Sequence, residues 1–521
     1  MIRGRTLPFV RFLHDLRGFL RAQQSVQEAR DLVRRSLDER DENFLAMAAR
    51  TIYAVPRSPY RRLLEHARCE LGDLSQDVRA HGLEATLTKL RTAGVYVSFE
   101  EFKGRRPIVR DGVVFETRPE DFDSPLLTGG YRVRTSGSTG AATPMWISLR
   151  SLADRIPHTL LAFDAHGLLG VPCAMWREAP PAPAIGMILE EAPMGQRYER
   201  WFAPPLRRSL SSTISSRLVT DAIVSVARSA GVRLPRPERL AYDQAGTVAR
   251  WAARHPVCVV RTGLSNAVRV ARAATEDGID LRGTAFVGAG EPVTPAKVSA
   301  IGRAGGAWIS NYTVSEAGRL GVPCARGADT TDVHFADHVA AVITHPRAVP
   351  GTDQTVDTFH FSSLLPGSPK ILLNTETDDY GVIEPRSCGC ALEAVGLTRH
   401  VRDIFSFQKL TGEGVSLVGS DMVRILEEEL PRVFGGTSVD YQLVEEEDPD
   451  GFTRLTLVIS PRVAIESEAR VVEAVLQALG DSGLGRDVRS IWARSGAMRV
   501  RRAEPTVTQG GKVRPLIPRP R

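Results

Sequence analysis

Thr135, Ser136, Gly137, Ser138, Thr139 and Gly140 set four hydroxyls around two glycines, directly after a strand-like run over 131–134. Glycine lets a backbone approach a ligand closely, and hydroxyls with free amides supply donors, so this composition suits an anion such as phosphate. The Gly-Lys-Ser/Thr ending of the P-loop is missing, which makes it a cradle of another kind. Taken alone, the run reads equally well as a Ser/Gly turn with no ligand. Further motifs follow in order. Gly288-Ala289-Gly290-Glu291-Pro292 comes after the apolar run 285–287, and residues 308–318 read Trp-Ile-Ser-Asn-Tyr-Thr-Val-Ser-Glu-Ala-Gly. Thr377-Asp378-Asp379-Tyr380-Gly381 follows another expected strand and has good turn composition. Gly510-Gly511-Lys512 stands near the C-terminus. Separately, Cys388-Gly389-Cys390 puts two thiols within reach of one ion, which would need two more ligands from elsewhere.

In this order the five motifs resemble those of the adenylate-forming superfamily of acyl-CoA synthetases and related ligases. The phenylacetate–CoA ligase branch is the nearest likeness, with the acyl-protein synthetases of bioluminescence beside it, and the likeness runs from about 58 to 512. It implies an AMP-forming acid–thiol ligase. ATP and a carboxylic acid would give an acyl-adenylate and pyrophosphate, and CoA would then capture the acyl group. By the same resemblance, residues 135–140 would hold the β- and γ-phosphates. Glu291 and Pro292 would line the adenine slot, with Ser310 and Asn311 nearby and the Tyr312 ring flat against the base. Ser315 or Thr313 would face the α-phosphate, and Glu316 would bind Mg2+. A metal shared by a carboxylate and ATP oxygens would offset the charge of one anion attacking another. Asp379 would accept hydrogen bonds from the ribose, and Lys512 would bring a point positive charge to the α-phosphate and the attacking oxygen.

Some relatives in that branch bind a structural Zn2+ through a Cys, a His and a Cys-x-Cys. This implies a site of Cys324, His334, Cys388 and Cys390, with His338 as a substitute for His334. A closed four-ligand shell would brace loops beside the nucleotide and leave no position for substrate. Without the resemblance, Cys388 and Cys390 read as a reduced buried pair in a Pro/Gly turn.

The sequence also departs from the family pattern. Ala141-Ala142-Thr143-Pro144-Met145 follows the phosphate loop where relatives carry Pro-Lys or Pro-Val sooner, and Thr377-Asp378-Asp379 lacks the glycine of Thr-Gly-Asp. Asp403 fits the hinge aspartate. The arginine that contacts the ribose is Arg399, Arg402 or neither, and Arg399 is carried as the candidate. Gly412-Glu413-Gly414 suits a mobile loop of the small domain. These changes bear on the second half-reaction more than the first.

Elements must position these residues. The chain has 521 residues, 42% hydrophobic and 25% charged, more than one core usually supports. Apolar residues spaced three and four apart predict helices over 26–37, 41–53, 60–71 and 85–93. From about 130 to 400, β-rich runs (257–260, 284–287, 340–343, 371–373) alternate with helical stretches such as 265–276. After about 403 come a hairpin, 441–444 with 455–460, a helix over 467–479, and a candidate strand at 491–493. The expected organisation is α/β: a helical part (1–125), an α/β nucleotide- and substrate-binding part (126–402), and a small mobile α+β C-terminal domain (403–521).

The net charge of +6 comes from 67 basic and 61 acidic residues without a long single-sign block, which mildly favours anionic ligands and does not point to nucleic acid. No run approaches the roughly 20 apolar residues of a membrane span, and charged residues interrupt 7–20, so that segment reads as an amphipathic surface helix rather than a signal. A cytoplasmic enzyme follows, and a homodimer is left open. Cys69, Cys173, Cys258 and Cys324 stand apart, so six cysteines make no disulfide framework. Phe163, His166, Trp176, Met187, Leu264 and Phe286 are candidates for the acyl pocket, with a small aromatic or medium-length apolar acid as substrate. Two rivals remain: transfer to a carrier protein, protein cysteine or amine, and an adenylate-fold protein without turnover.

Overall fold

The computed structural model describes residues 3–134, 144–180, 184–205, 210–290, 293, 295–348, 355–406, 409–412, 415–418, 422, 425–436, 440–448, 453–481, 498–506 and 516–517. The N-terminal part is a layer of helices whose apolar stripes face inward. Helix Arg3–Arg21 buries Phe12, Leu16 and Leu20 at the four-residue spacing of one face and leaves Val10 and most of the other face exposed, as an amphipathic surface helix does. Helix Val26–Asp38 starts on a Ser25–Glu28 capping box, which satisfies two orphan amides of its first turn. Helix Arg40–Ala48 runs into a π-helical turn at Ala49–Tyr53, and helices Pro59–His66, Leu71–His81 and Leu83–Thr92 follow. The helix expected over 60–71 stops five residues early: Arg68 has φ 53°, a left-handed backbone that ends the turn.

The strands are β1 (Ile108–Arg110) with β2 (Val113–Phe115), and β3 (Tyr131–Arg134) with β4 (Pro144–Ile147), each an antiparallel pair. Then β5 (Pro172–Trp176), β6 (Arg197–Ala203), β7 (Pro237–Arg239), β8 (Cys258–Arg261), β9 (Thr284–Gly288) and β10 (Ala307–Ser310) form one sheet in the order β10-β9-β8-β5-β6-β7. All its pairs are parallel, and β8 and β9 are buried at every position. Parallel strands covered on both faces read as such continuous apolar runs.

A second sheet holds β11 (Tyr312–Val314), β12 (Gly318–Pro323), β13 (Val333–Phe335), β14 (Ala340–Ala348), β15 (Thr355–Ser363), β16 (Thr375–Pro385) and β17 (Arg399–Ser406) in the order β11-β12-β13-β17-β16-β15-β14. Residues 371–373, expected as a strand, form no ladder. They are buried and anchored singly, with Ile371 N–H donating to Phe122 O and Ser363 N–H to Leu372 O. Residues 377–381, which have turn composition, lie inside the long strand β16. A third sheet pairs Tyr441–Glu447 with Thr453–Ile459 and adds Met498–Arg502 and Leu516–Ile517; helix Glu468–Asp481 packs on it through Val471, Val475 and Leu479. This is the small α+β unit at the C-terminal end. The expected strand at 491–493 lies outside the described residues. Among the described residues no helix is long and apolar enough to cross a membrane.

Candidate active site

The parallel sheet ends where the antiparallel one begins, and the central residues of the site come from that junction. β9 terminates at Gly288, whose carbonyl accepts from Asn311 N–H at 2.8 Å and from Asn311 Nδ2 at 3.4 Å. A Cβ on Gly288 would stand 2.2 Å from Thr262 O and 2.5 Å from the Trp308 ring, so only glycine lets the two strand ends close up. Ligands in open α/β sheets bind beyond the carboxyl ends of the strands, and this is that edge.

Next along the chain, Tyr312 donates its phenolic O–H to Asp379 Oδ2 at 3.0 Å, although 67 residues separate them. The turn after β11 carries Ser315, exposed, and Glu316, mostly buried. Thr313 is exposed as well. Glu316 Oε1 meets Lys103 Nζ at 2.7 Å, with both side chains about an eighth exposed. Burial alone would raise the Glu316 carboxyl, but the Lys103 charge and hydrogen bond outweigh it and hold it below its usual value.

Beside these residues lies a small, narrow pocket lined by Ala162, Phe163, His166, Leu168, Val287, Ile309, Asn311, Arg319 and Pro323. Phe163 and His166 of the expected acyl lining are there. Trp176, Leu264 and Phe286 belong instead to the core behind the parallel sheet, and Met187 packs against the main core. Behind the cavity Arg319 meets Glu190 at 3.1 Å, and Arg261 meets Glu191 at 2.9 Å, with Tyr198 O–H donating to Glu191 at 2.6 Å. Burial would raise Glu190, yet the Arg319 and Arg155 charges bring it below its usual value, while burial keeps its neighbour Glu191 above its own despite Arg261.

Arg399 does not join this group. Its guanidinium bonds Asp337 and approaches Glu84, and it lies over the Phe335 ring. Along β17 it pairs with Pro385 whereas Asp379 pairs with Ser406, seven residues or roughly 23 Å of strand away. Arg402 is bound to Glu384 and Asp403. Asp403 itself has φ 52°, and the ladder opposite it is irregular at Gly381, where a Cβ would meet Arg402 O at 2.8 Å. This is a bent point in the strand that leads to the small C-terminal unit. The expected phosphate loop (Thr135, Ser136, Gly137, Ser138, Thr139, Gly140), Glu291, Pro292, Glu413, Gly414 and Lys512 lie outside the described residues, although β3 and β4 pair on either side of the loop.

At the far end of the antiparallel sheet, Cys324, His334, Cys388 and Cys390 converge. His334 Nε2 is 3.1 Å from Cys390 Sγ and 3.7 Å from Cys388 Sγ, and its Nδ1 is 2.6 Å from Leu397 O. Each sulfur accepts an amide N–H from two residues on: Arg326 to Cys324 at 3.4 Å, Cys390 to Cys388 at 3.5 Å, Leu392 to Cys390 at 3.3 Å. Amides aimed at sulfur and a carbonyl fixing the imidazole tautomer are the surroundings that thiolate–imidazole metal sites have. The donor set therefore fits a closed tetrahedral ion. His338 is elsewhere, paired with His158 at 3.2 Å.

Two residues escaped sequence reading. His400 sits opposite His334 in the β13–β17 register, with Nδ1 2.6 Å from Asp332 and a buried Nε2 without a partner among the described residues. It can offer a ligand atom within 4.8 Å of those of Cys324, His334 and Cys388. Its signal is a strand pairing, which no local motif carries. Lys103 is the other, 213 residues before its partner Glu316.

With this geometry in view, the solved structure of 2-hydroxyisobutyryl-CoA ligase in complex with 2-HIB-AMP and CoA superposes with a TM-score of 0.55 at 15% identity, over 96% of this chain and 91% of that one. The fold is that of the adenylate-forming ligases. Weaker likenesses are to malonyl-CoA ligase with methylmalonyl-CoA and AMP bound (TM-score 0.40, 15% identity, 77% and 74% covered) and to the amide bond synthetase McbA of Marinactinospora thermotolerans (TM-score 0.38, 13% identity, 88% and 92% covered). No family model and no curated protein matches the sequence.

Proposed function

We propose that this protein activates a small carboxylic acid with ATP, releasing pyrophosphate, and passes the acyl group from its adenylate to a thiol, CoA being the first choice. The observation that carries this reading is the meeting of Tyr312, Asp379 and Asn311 at the sheet junction, next to a cavity that opens on Asn311. The similar structure of 2-hydroxyisobutyryl-CoA ligase holds CoA, which makes CoA the first acceptor to test.

The roles follow from the chain's own groups. Tyr312 offers a ring face to the base while its hydroxyl orients Asp379, whose carboxylate accepts from ribose hydroxyls. Asn311, tied to Gly288 O, fixes the border between nucleotide and acid. Ser315, exposed on its turn, donates to the α-phosphate. Glu316 would hold Mg2+, which would supply charge neutralisation between the attacking carboxylate and the phosphate. Lys512 brings a cation from the C-terminal unit, residues 403–521, which turns about Asp403. Residues 135–140 cradle the outer phosphates, and Glu291 with Pro292 lines the adenine slot. Arg399, committed to Asp337, serves the fold and leaves ribose contact to other residues.

Cys324, His334, Cys388 and Cys390 would hold a structural Zn2+, as in some members of the phenylacetate–CoA ligase branch that the motifs resemble. The ion ties the loop after β12 to the loop after β16, the two segments that follow Glu316 and Asp379 in sequence. The enzyme works in the cytoplasm, with the acid and CoA as its small partners.

AMP release tests the whole reading. AMP is expected only when ATP, Mg2+, an acid and CoA are all supplied, with an acyl-CoA of matching mass. Acid-dependent AMP release that ignores CoA but responds to a carrier protein would move the acceptor. No AMP with any acid would overturn the function.

A further inference from the structure

Lys103 ends the short helix Phe99–Phe102, and its ammonium lies 5.6 Å and 5.5 Å from the centroids of the Phe99 and Phe102 rings. From there it reaches Glu316, the carboxylate assigned above to Mg2+, at 2.7 Å. A buried ammonium with two aromatic faces and a carboxylate around it is costly to strip of water and correspondingly costly to leave unpaired. A second cation that acts on Glu316, Lys370, is buried against Asp123 Oδ1 at 2.5 Å and Pro119 O at 2.6 Å. Among these four groups, two ammonium charges match two carboxylates.

A bare divalent ion arriving at Glu316 would add two charges to this poorly solvated cluster, and would compete with an ammonium already at hydrogen-bond distance. An ion arriving on a polyphosphate brings its own anionic oxygens, and the same site can then accept it. We propose that Lys103 is a placeholder cation: it keeps Glu316 paired and closed to free Mg2+, so that the metal enters only with the nucleotide. This rests on the adenylation reading of Glu316 and goes beyond it, because it sets the order in which ligands bind. Lys103 is a positioning residue here, acting on the metal through Glu316.

Mn2+ bound to the full-length protein, separated by equilibrium dialysis from free Mn2+ and Mn2+–ATP and counted per protein, tests this without turnover. Wild type is expected to take up Mn2+ at this site only when ATP is present. K103Q is expected to bind Mn2+ alone at least about tenfold more tightly than wild type, since one adjacent unit charge at short range commands that much. K103R is expected to restore the exclusion, and adding E316Q to K103Q to abolish the gain. A purely structural ion pair would leave nucleotide-free Mn2+ binding unchanged in K103Q, and that result overturns the proposal. Wild-type uptake of Mn2+ without ATP that E316Q removes overturns it too, whether or not K103Q folds. Failure of wild type to bind Mn2+ with ATP would contradict the adenylation reading itself, and the inference with it.

Discussion

Tyr312 and Asp379 are joined by one hydrogen bond whose two ends have different duties, so their substitutions should separate. Y312F removes the bond while keeping the ring; a net hydrogen bond is worth about 1 kcal/mol, so the KM for ATP should rise about fivefold with kcat little changed. On the proposed function, D379A removes the carboxylate that would meet the ribose and should raise that KM about tenfold to a hundredfold, because bonds to a charged group are stronger. Steady-state kinetics at saturating acid would check both, and equal effects of the two would detach Tyr312 from the base. At this scale the sequence was informative where a residue belongs to a contiguous motif: Asn311, Tyr312 and Glu316 share one turn-and-strand segment, and Cys388 and Cys390 share one loop. Lys103 and His400 could not be read that way. Each takes its meaning from a partner far along the chain, one across a helix–turn contact and one through strand register. Arg399 shows the reverse case, a candidate that the resemblance suggested and that the register of β17 places away from Asp379.

Elements fix these residues by close approach and by cross-links. Gly288 lets β9 and β10 end side by side, so G288A forces atoms into Thr262 O and the Trp308 ring. Overpacking of this kind costs about 1–3 kcal/mol, and a drop in the thermal midpoint with a weaker nucleotide response is expected. The sulfur cluster joins the loops after β12 and β16. C388S should lower zinc from about one equivalent to below about half, measured by atomic absorption, and reduce the midpoint of unfolding. Wild-type protein with no zinc after metal-replete expression would contradict the four-ligand site. Helices such as Val26–Asp38 and Leu264–Glu276, and the strands β8 and β9, could be located from apolar spacing because their burial repeats regularly. Residues 371–373 could not, since an apolar run buried as a loop looks like a buried strand until its hydrogen bonds are known. β16 hides equally well: its polar Thr-Asp-Asp-Tyr-Gly stretch carries turn residues, but β15 and β17 pair with it on both sides.

Across the whole molecule, burial of neutral imidazoles sets acid tolerance. Burial pushes His338 down to about 4 and His360 to about 3, so both stay uncharged in the fold while they would take up protons near pH 6.5 when unfolded. The unfolded chain then binds more protons below that value. The stability these groups allow is complete above about pH 6.5 and is lost as pH falls toward their folded values. Urea midpoints should decline through that window, less so in H360Q, and a flat profile from pH 7 to 4.5 would contradict this. The larger claim is that a helical layer, two sheets and a small C-terminal unit together make an adenylating enzyme. Acid-dependent exchange of labelled pyrophosphate into ATP, run over a panel of small carboxylic acids, tests it most directly. The account predicts exchange with at least one acid, dependent on Mg2+ and reduced about a hundredfold or more in E316Q. Absence of exchange with every acid in folded, nucleotide-binding protein would contradict it.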